Sequence, residues 1–186
     1  MTAAIRKVGI VGAGQMGNGI AHVCALAGYD VALHDIAEDR ITAGIDVVRG
    51  NMNRQVSRNA ISEEQRDAAM ARIVPAKALG DLGACDLVIE AATENEAIKK
   101  TIFKSLLPHI RSDAILATNT SSISVTRLAS VTDRPERFIG IHFMNPVPVM
   151  KLVELIRGIA TEDPTFALAR EFVSSLGKTV TTSEDF

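Results

Sequence analysis

The chain has no tryptophan, one tyrosine and two cysteines, and aromatic side chains make up 4% of it. So few aromatics leave no stacking platform, and a net charge of −2 leaves no basic stripe; together these argue against nucleic acid as a partner. Cys24 and Cys85 stand far apart without ligand-spaced neighbours, so neither a zinc or other metal site nor a disulfide framework is expected. Two isolated thiols suit burial in a reducing, cytoplasmic compartment. A membrane-spanning run is lacking as well. Val8 to Tyr29 carries no formal charge and follows Arg6-Lys7, but its glycines, with Gln15, Asn18 and His22, make a poor span or signal segment. Charged residues at 23% and apolar residues at 47% are close to globular averages and argue against disorder. The 186 residues suit one domain with a sizeable core, or the larger part of a two-domain chain.

What is present begins at Lys7. Val8 to Val11 is a short, β-branched apolar run that reads as a buried strand. It leads straight into Gly12-Ala13-Gly14-Gln15-Met16-Gly17 and then into a helical pattern. In a Gly-x-Gly-x-x-Gly turn the first glycine makes the bend, the second lets a pyrophosphate approach the backbone, and the third lets helix and strand pack closely. The helix start would aim free N–H groups and its positive dipole end at that pyrophosphate. Alone, the glycines are equally a turn without a ligand. A second strand, Val31 to His34, adds context by ending at Asp35, about 20 residues beyond the glycines. A carboxylate there accepts from both ribose hydroxyls and repels a 2′-phosphate, which favours NAD over NADP.

Further along, Met16, Ile20, Val23 and Ala27 recur at helical spacing and should face a sheet, with Gly28 closing the helix. His22 on that helix reads as a surface or satisfied histidine. Ile41, Ile45, Val48, Met52 and Val56 make one stripe of a long helix, and Ser62 with Gln65 forms a capping box opening another to about Arg72. This excursion, about residues 37–72, predicts a protruding helical hairpin. Its tip carries Arg49, Arg54 and Arg58 and no acid, which suits either a solvated face or a phosphate-bearing substrate. Strands are expected at Ile73–Leu79, Asp86–Ala91, Ala114–Thr118, Arg137–Phe143, Leu152–Ile156 and Thr179–Thr182. One helix should run from Asn95 with Ile98, Ile102 and Leu106 inward and Lys99, Lys100 and Lys104 outward. Another should start at Asp163-Pro164 with Phe166, Ala169, Val173 and Leu176 inward. The alternation predicts an α/β, Rossmann-like, doubly wound and mostly parallel sheet. Ligands in such sheets sit beyond the strands' carboxyl ends, which lines up Gly12, Asp35, Glu90, Asn119, Ser121 and His142.

Dinucleotide redox chemistry needs a group that moves a proton at neutral pH. His142, near a strand's carboxyl end, is either structural or that group. Glu154 favours the second reading, because a carboxylate inside Leu152-Val153-Glu154-Leu155-Ile156 requires a partner. A carboxylate bonded to an imidazole fixes its tautomer and stabilises imidazolium. Spacing alone does not show that the two meet.

Four blocks together carry a resemblance. They are Gly12 to Gly17, Val88-Ile89-Glu90-Ala91, Asn119-Thr120-Ser121-Ser122, and Gly140 through His142-Phe143-Met144-Asn145-Pro146 to Glu154. In this order they resemble the L-3-hydroxyacyl-CoA dehydrogenase family, most closely its short-chain, 3-hydroxybutyryl-CoA members. The resemblance implies NAD as cofactor, an acyl-CoA thioester as substrate, His142 as catalytic base, Glu154 as its orienting partner and Ser121 as a contact to the reacting oxygen. It further implies cofactor contacts at Glu94, Lys99, Ser121 and Asn145, and places Asn51 and Arg58 where the family's hairpin meets coenzyme A. The family continues past a position like Asp185-Phe186 into an all-helical domain that supplies a further active-site asparagine, much of the acyl pocket and a homodimer contact. With that domain absent, residues 1–186 are expected to be the NAD-binding domain, binding NAD but turning substrate over poorly. Two rivals are a β-hydroxyacid dehydrogenase with a lysine base and a non-catalytic, crystallin-like NAD-binding relative.

Overall fold

The computed structural model describes residues 4–185; Phe186, at the expected junction, lies outside them. The chain runs β1 (Lys7–Val11), α1 (Gln15–Leu26), β2 (Asp30–His34), α2 (Glu38–Ser57), α3 (Glu63–Arg72), β3 (Ile73–Ala76), β4 (Leu87–Glu90), α4 (Glu96–Leu106), β5 (Ile115–Thr118), α5 (Val125–Ala129), β6 (Phe138–Phe143), β7 (Leu152–Arg157), α6 (Asp163–Ser175) and β8 (Thr179–Glu184). The strands form one eight-stranded sheet in the order β3-β2-β1-β4-β5-β6-β7-β8. Six are mutually parallel, β7 is antiparallel to β6, and β8 is parallel to β7. This is the expected Rossmann-like sheet, with its switch point between β1 and β4.

Alternation along each strand feeds two cores. Val8, Ile10, Leu87 and Ile89 point to the layer of α1, α2 and α6, where they meet Ile20, Ala21 and Phe172. Val88, Leu116 and Phe138 point to the other layer, where they meet Phe103, Leu106 and Leu128. Buried on both faces, the parallel strands are apolar nearly throughout. The excursion is the expected helical hairpin, laid against α1 by Ile41, Val48, Met52 and Ala69. Ser62 and Gln65 exchange both capping-box bonds at the start of α3.

Several local readings need correction. On α1, Ala27 is exposed while every residue from Gly17 to Ala25 is buried, because this helix is covered by the sheet below and the hairpin above. His22 is therefore buried, not on the surface. Its Nε2 lies 2.9 Å from Gln55 Oε1, and its Nδ1 finds no partner among the described residues. On α4 the inward face is Lys99, Phe103 and Leu106, at i, i+4 and i+7, while Ile98 is half exposed. The helix is rotated by one position from the all-apolar stripe, because Lys99 has an ionic partner inside. On α6, Thr165 and Phe172 are buried with Ala169 and Val173, while Phe166 and Leu176 are only partly covered. The short α5, capped by Ser124, was not anticipated; five residues carry too little periodicity to read.

Candidate active site

The glycine turn sits at the switch point. Gly12 has φ +104°, and a Cβ there would meet Ala92 Cα at 2.6 Å, so both backbone shape and the neighbouring β4 segment demand glycine. A Cβ on Gly17 would fall 1.6 Å from Gly12 O, which enforces the close strand–helix approach. Gly14 is different: nothing lies within 4 Å of its Cβ position, and it caps α1 without any side-chain bond or first-turn acid. That combination leaves room and donors for a phosphate at the helix start. Asp35, at the end of β2, accepts from Ala13 N–H at 2.9 Å through Oδ2 and from Ile36 N–H through Oδ1.

Three depressions share Ala92 as a common lining residue. One, of about 420 Å³, lies between Val11, Leu79, Ile98 and Ile102, with Asp35 and Arg40 also lining it. Its apolar walls suit a flat base, and they explain why Ile98 is left exposed. The second, about 430 Å³, is lined by Gly14, Gln15, Met16, Glu94, Asn119, Ser121, His142 and Asn145. The third, about 710 Å³, runs between Ala13, Gly14 and Gln15 on one side, Gly44, Val47 and Asn51 of α2 on another, and Asn145 to Pro148 opposite. The apolar slot and the 430 Å³ chamber, joined across the open turn at Gly14, fit an extended dinucleotide, and the large groove lies beside them.

The reversal between β6 and β7 brings the imidazole and carboxylate together. His142 and Glu154 are register partners across the antiparallel ladder, and His142 Nδ1 lies 3.3 Å from Glu154 Oε2. Their side chains are 19% and 31% exposed, so the pair is sheltered yet open to the 430 Å³ chamber that His142 lines. A carboxylate only accepts, so Nδ1 carries a proton toward it, and in the neutral imidazole that leaves the lone pair on Nε2.

A second constellation holds Ser121. Lys99 and Glu90 are both fully buried and pair at 2.5 Å. Glu90 also accepts from Thr118 Oγ1 (3.0 Å) and Ala92 N–H (2.8 Å), and Lys99 donates to Asn119 O (3.3 Å). Lys99 faces Glu94 as well, at 3.7 Å. Glu94 Oε1 accepts from Ser121 N–H (2.7 Å), Thr120 Oγ1 (2.8 Å) and Ser121 Oγ (3.1 Å). Burial opposes ionisation of Glu94, but the Ser121 and Thr120 bonds and the Lys99 charge outweigh it and hold the carboxyl below its ordinary range. Asn119 Oδ1 takes Phe143 N–H at 2.9 Å, tying this network to the residue beside His142.

Asn51 sits on the wall of the large groove. It also lines, with Arg54, Arg58, Gln55, His22 and Pro148, an adjoining depression of about 320 Å³. Arg49 is exposed and lines neither depression. Glu90 and Asn119, expected along the ligand edge, serve instead as supports, and Thr120 joins them by donating to Glu94. An acid ending the apolar β4, nine residues before a lysine at the start of a helix, is the signal that could have found the buried pair. Burial pushes both thiols up, Cys85 to about 11, so neither is a ready nucleophile. Among the described residues no three His, Cys, Asp or Glu converge as metal ligands, and no helix is long and apolar enough to cross a membrane.

Glycine turn, Asp35 and sheet order thus define a dinucleotide-binding domain of the Rossmann class. Comparison with known proteins narrows it: residues 7–186 match the family model for the 3-hydroxyacyl-CoA dehydrogenase, NAD binding domain, and the chain belongs to that family. It is 60% identical, over all 186 of its residues, to a 3-hydroxybutyryl-CoA dehydrogenase of Bradyrhizobium diazoefficiens, of which it covers 64%. It is 45% identical over 187 aligned positions to one from Mycobacterium tuberculosis, covering 65% of that protein. The crystal structure of (S)-3-hydroxybutyryl-CoA dehydrogenase from Ralstonia eutropha matches 98% of this chain with a TM-score of 0.96 at 46% identity, over 65% of its own length. The chain therefore spans just under two thirds of these relatives, and it is an NAD-binding domain.

Proposed function

We propose that this chain is the cofactor-binding part of an enzyme interconverting L-3-hydroxyacyl-CoA and 3-ketoacyl-CoA, with 3-hydroxybutyryl-CoA as the favoured substrate. The observation that carries the reading is the His142–Glu154 pair at 3.3 Å beside the chamber that Ser121 and the glycine turn also line. When bound, NAD supplies the acceptor or donor of hydride at the substrate's C3. His142 removes the hydroxyl proton through Nε2 in the oxidative direction and returns it in the reverse. Glu154 holds Nδ1–H and stabilises the imidazolium that forms. Ser121, kept in place through its backbone N–H by Glu94, swings its hydroxyl away from Glu94 Oε1, its acceptor at 3.1 Å, to the reacting oxygen and steadies developing charge there. Gly14, Gln15, Met16 and Asp35 hold the dinucleotide with Ala13 and Gly12 shaping the turn, and Glu94 and Asn145 meet its nicotinamide end. Lys99, being fully buried, serves that end by fixing Glu94.

Asn51 and Arg58 are assigned to the coenzyme A moiety, where the large groove and the arginine-lined depression adjoin. The same reading makes the longer protein a cytoplasmic homodimer. The test is NADH oxidation with acetoacetyl-CoA, by this chain and by a chimera extended with the remaining third of the Bradyrhizobium relative. Replacing His142 with Ala in the chimera should lower kcat by at least ~10². Near-normal turnover in that variant would refute the assignment.

A further inference from the structure

The segment joining β6 to β7, residues 144–151, lines the large groove through its middle residues and the 430 Å³ chamber through its first two. Asn145, Pro146, Val147 and Pro148 face α2 across the groove, and Met144 and Asn145 reach the chamber. Its internal support is thin: Val149 and Met150 N–H both go to Pro146 O, at 3.1 and 2.9 Å. From below, Val147 is buried against α1, where a Cβ on Gly19 would meet it at 2.9 Å.

Further support comes from the far end of the chain, where Thr179 N–H donates to Lys151 O at 2.8 Å and the residue before it holds the middle of the strap. Lys178, in the turn between α6 and β8, donates from Nζ to Val147 O at 2.6 Å and to Met150 O at 2.7 Å. No carboxylate lies within ion-pair distance of it among the described residues. Burial pushes its ammonium below the ordinary lysine value. A half-buried cation whose partners are two carbonyls of one strap acts as a clip, since charged donors make the stronger hydrogen bonds.

We propose that Lys178 is a positioning residue for substrate: by pinning Val147 and Met150 it holds the 144–151 strap as the rigid wall against which the coenzyme A moiety lies. This rests on the acyl-CoA reading of the groove. Lys178 touches neither cofactor nor substrate, and it grips the strap only at Val147 and Met150, so its loss loosens the groove wall from Val147 onward and leaves the glycine turn and Asn145, two residues past β6, in place.

The test compares Lys178→Met and Lys178→Arg in the 186-residue chain, using hydrogen exchange together with coenzyme A and NADH as separate titrants. In Lys178→Met, the Val149 and Met150 amides should exchange at least ~10-fold faster while β1 and β4 amides hold. The Kd for coenzyme A should rise at least ~10-fold, against less than ~3-fold for NADH. Lys178→Arg, which can still donate to both carbonyls, should recover most of both effects. Unchanged strap exchange, or equal weakening of coenzyme A and NADH, overturns the proposal. Failure of the unsubstituted chain to bind coenzyme A instead sinks the substrate reading, and the exchange result then decides alone whether Lys178 fixes the strap.

Discussion

Replacing Lys99 with Met should damage this protein more than any surface change, through a mechanism the double mutant can expose. Both members of the Lys99–Glu90 pair are fully buried at 2.5 Å. Removing the cation strands the Glu90 carboxylate in a low-dielectric interior, which costs about 3–5 kcal/mol. Against a typical domain stability of about 5–15 kcal/mol, that leaves a folded but fragile chain. Combining it with Glu90→Gln removes the stranded charge, and the amide can still accept from Ala92 N–H and reach Thr118 Oγ1, both current partners of Glu90. The double mutant should therefore regain at least ~2 kcal/mol over Lys99→Met alone. With no tryptophan in the chain, far-UV circular dichroism in urea is the suitable probe. NADH affinity should fall in both variants, since Glu94 loses the charge facing it at 3.7 Å. A Lys99→Met cost below ~1 kcal/mol, or no coupling between the two sites, would refute the buried-pair account.

Three other expectations concern separate parts of the molecule. Gly14→Ala should leave unfolding stability within ~0.5 kcal/mol yet raise the NADH Kd at least ~10-fold, because its Cβ meets no protein atom within 4 Å and intrudes only on the phosphate space. Gly17→Ala, with a Cβ 1.6 Å from Gly12 O, should instead lose stability outright; equal behaviour of the two in thermal melts contradicts the division of labour. Glu154→Gln in the extended chimera should lower kcat at least ~10-fold with little change in NADH binding, and a selective rise in the NADH Kd would place Glu154 in cofactor binding instead. Asp86 resists protonation: burial opposes its charge, but the Lys7 and Arg6 amides and Arg111 outweigh this and keep its carboxyl below the ordinary range. Its stabilisation is then present above the unfolded value of about 3.9 and is lost as pH falls through the lowered folded value. The melting-temperature gap between wild type and Asp86→Asn should be wide at neutral pH and close in acid; a pH-independent gap would speak against this linkage.

Much of the molecule was legible one segment at a time. The glycine turn, the strand ending at Asp35, the Ser62–Gln65 box and the proline-started α6 are signals whose physics is complete within a few residues: a steric ban on Cβ, a carboxylate at a strand end, reciprocal caps, a fixed φ. Alternating apolar strands and helical stripes then left little choice but a parallel, doubly wound sheet. The order of strands around β1 and β4, which puts the glycine turn at the switch point, follows from how crossovers pack.

Other features depended on neighbours distant in the chain. α4 turned by one position because burying Lys99 against Glu90 satisfies two charges at once, a gain no hydrophobic stripe registers. His22 went inside because the hairpin closed over α1. Ser121 is held by Glu94, 27 residues before it, and the strap beside Asn145 by Lys178, about 30 residues after. By itself the sequence determined where the glycine turn bends and which residue types surround it, since those constraints are local and steric. Only the tertiary structure decided that His142 meets Glu154: the chain must reverse after β6 and return antiparallel, in a register that sets the two opposite each other, and register is a property of the sheet, not of either strand.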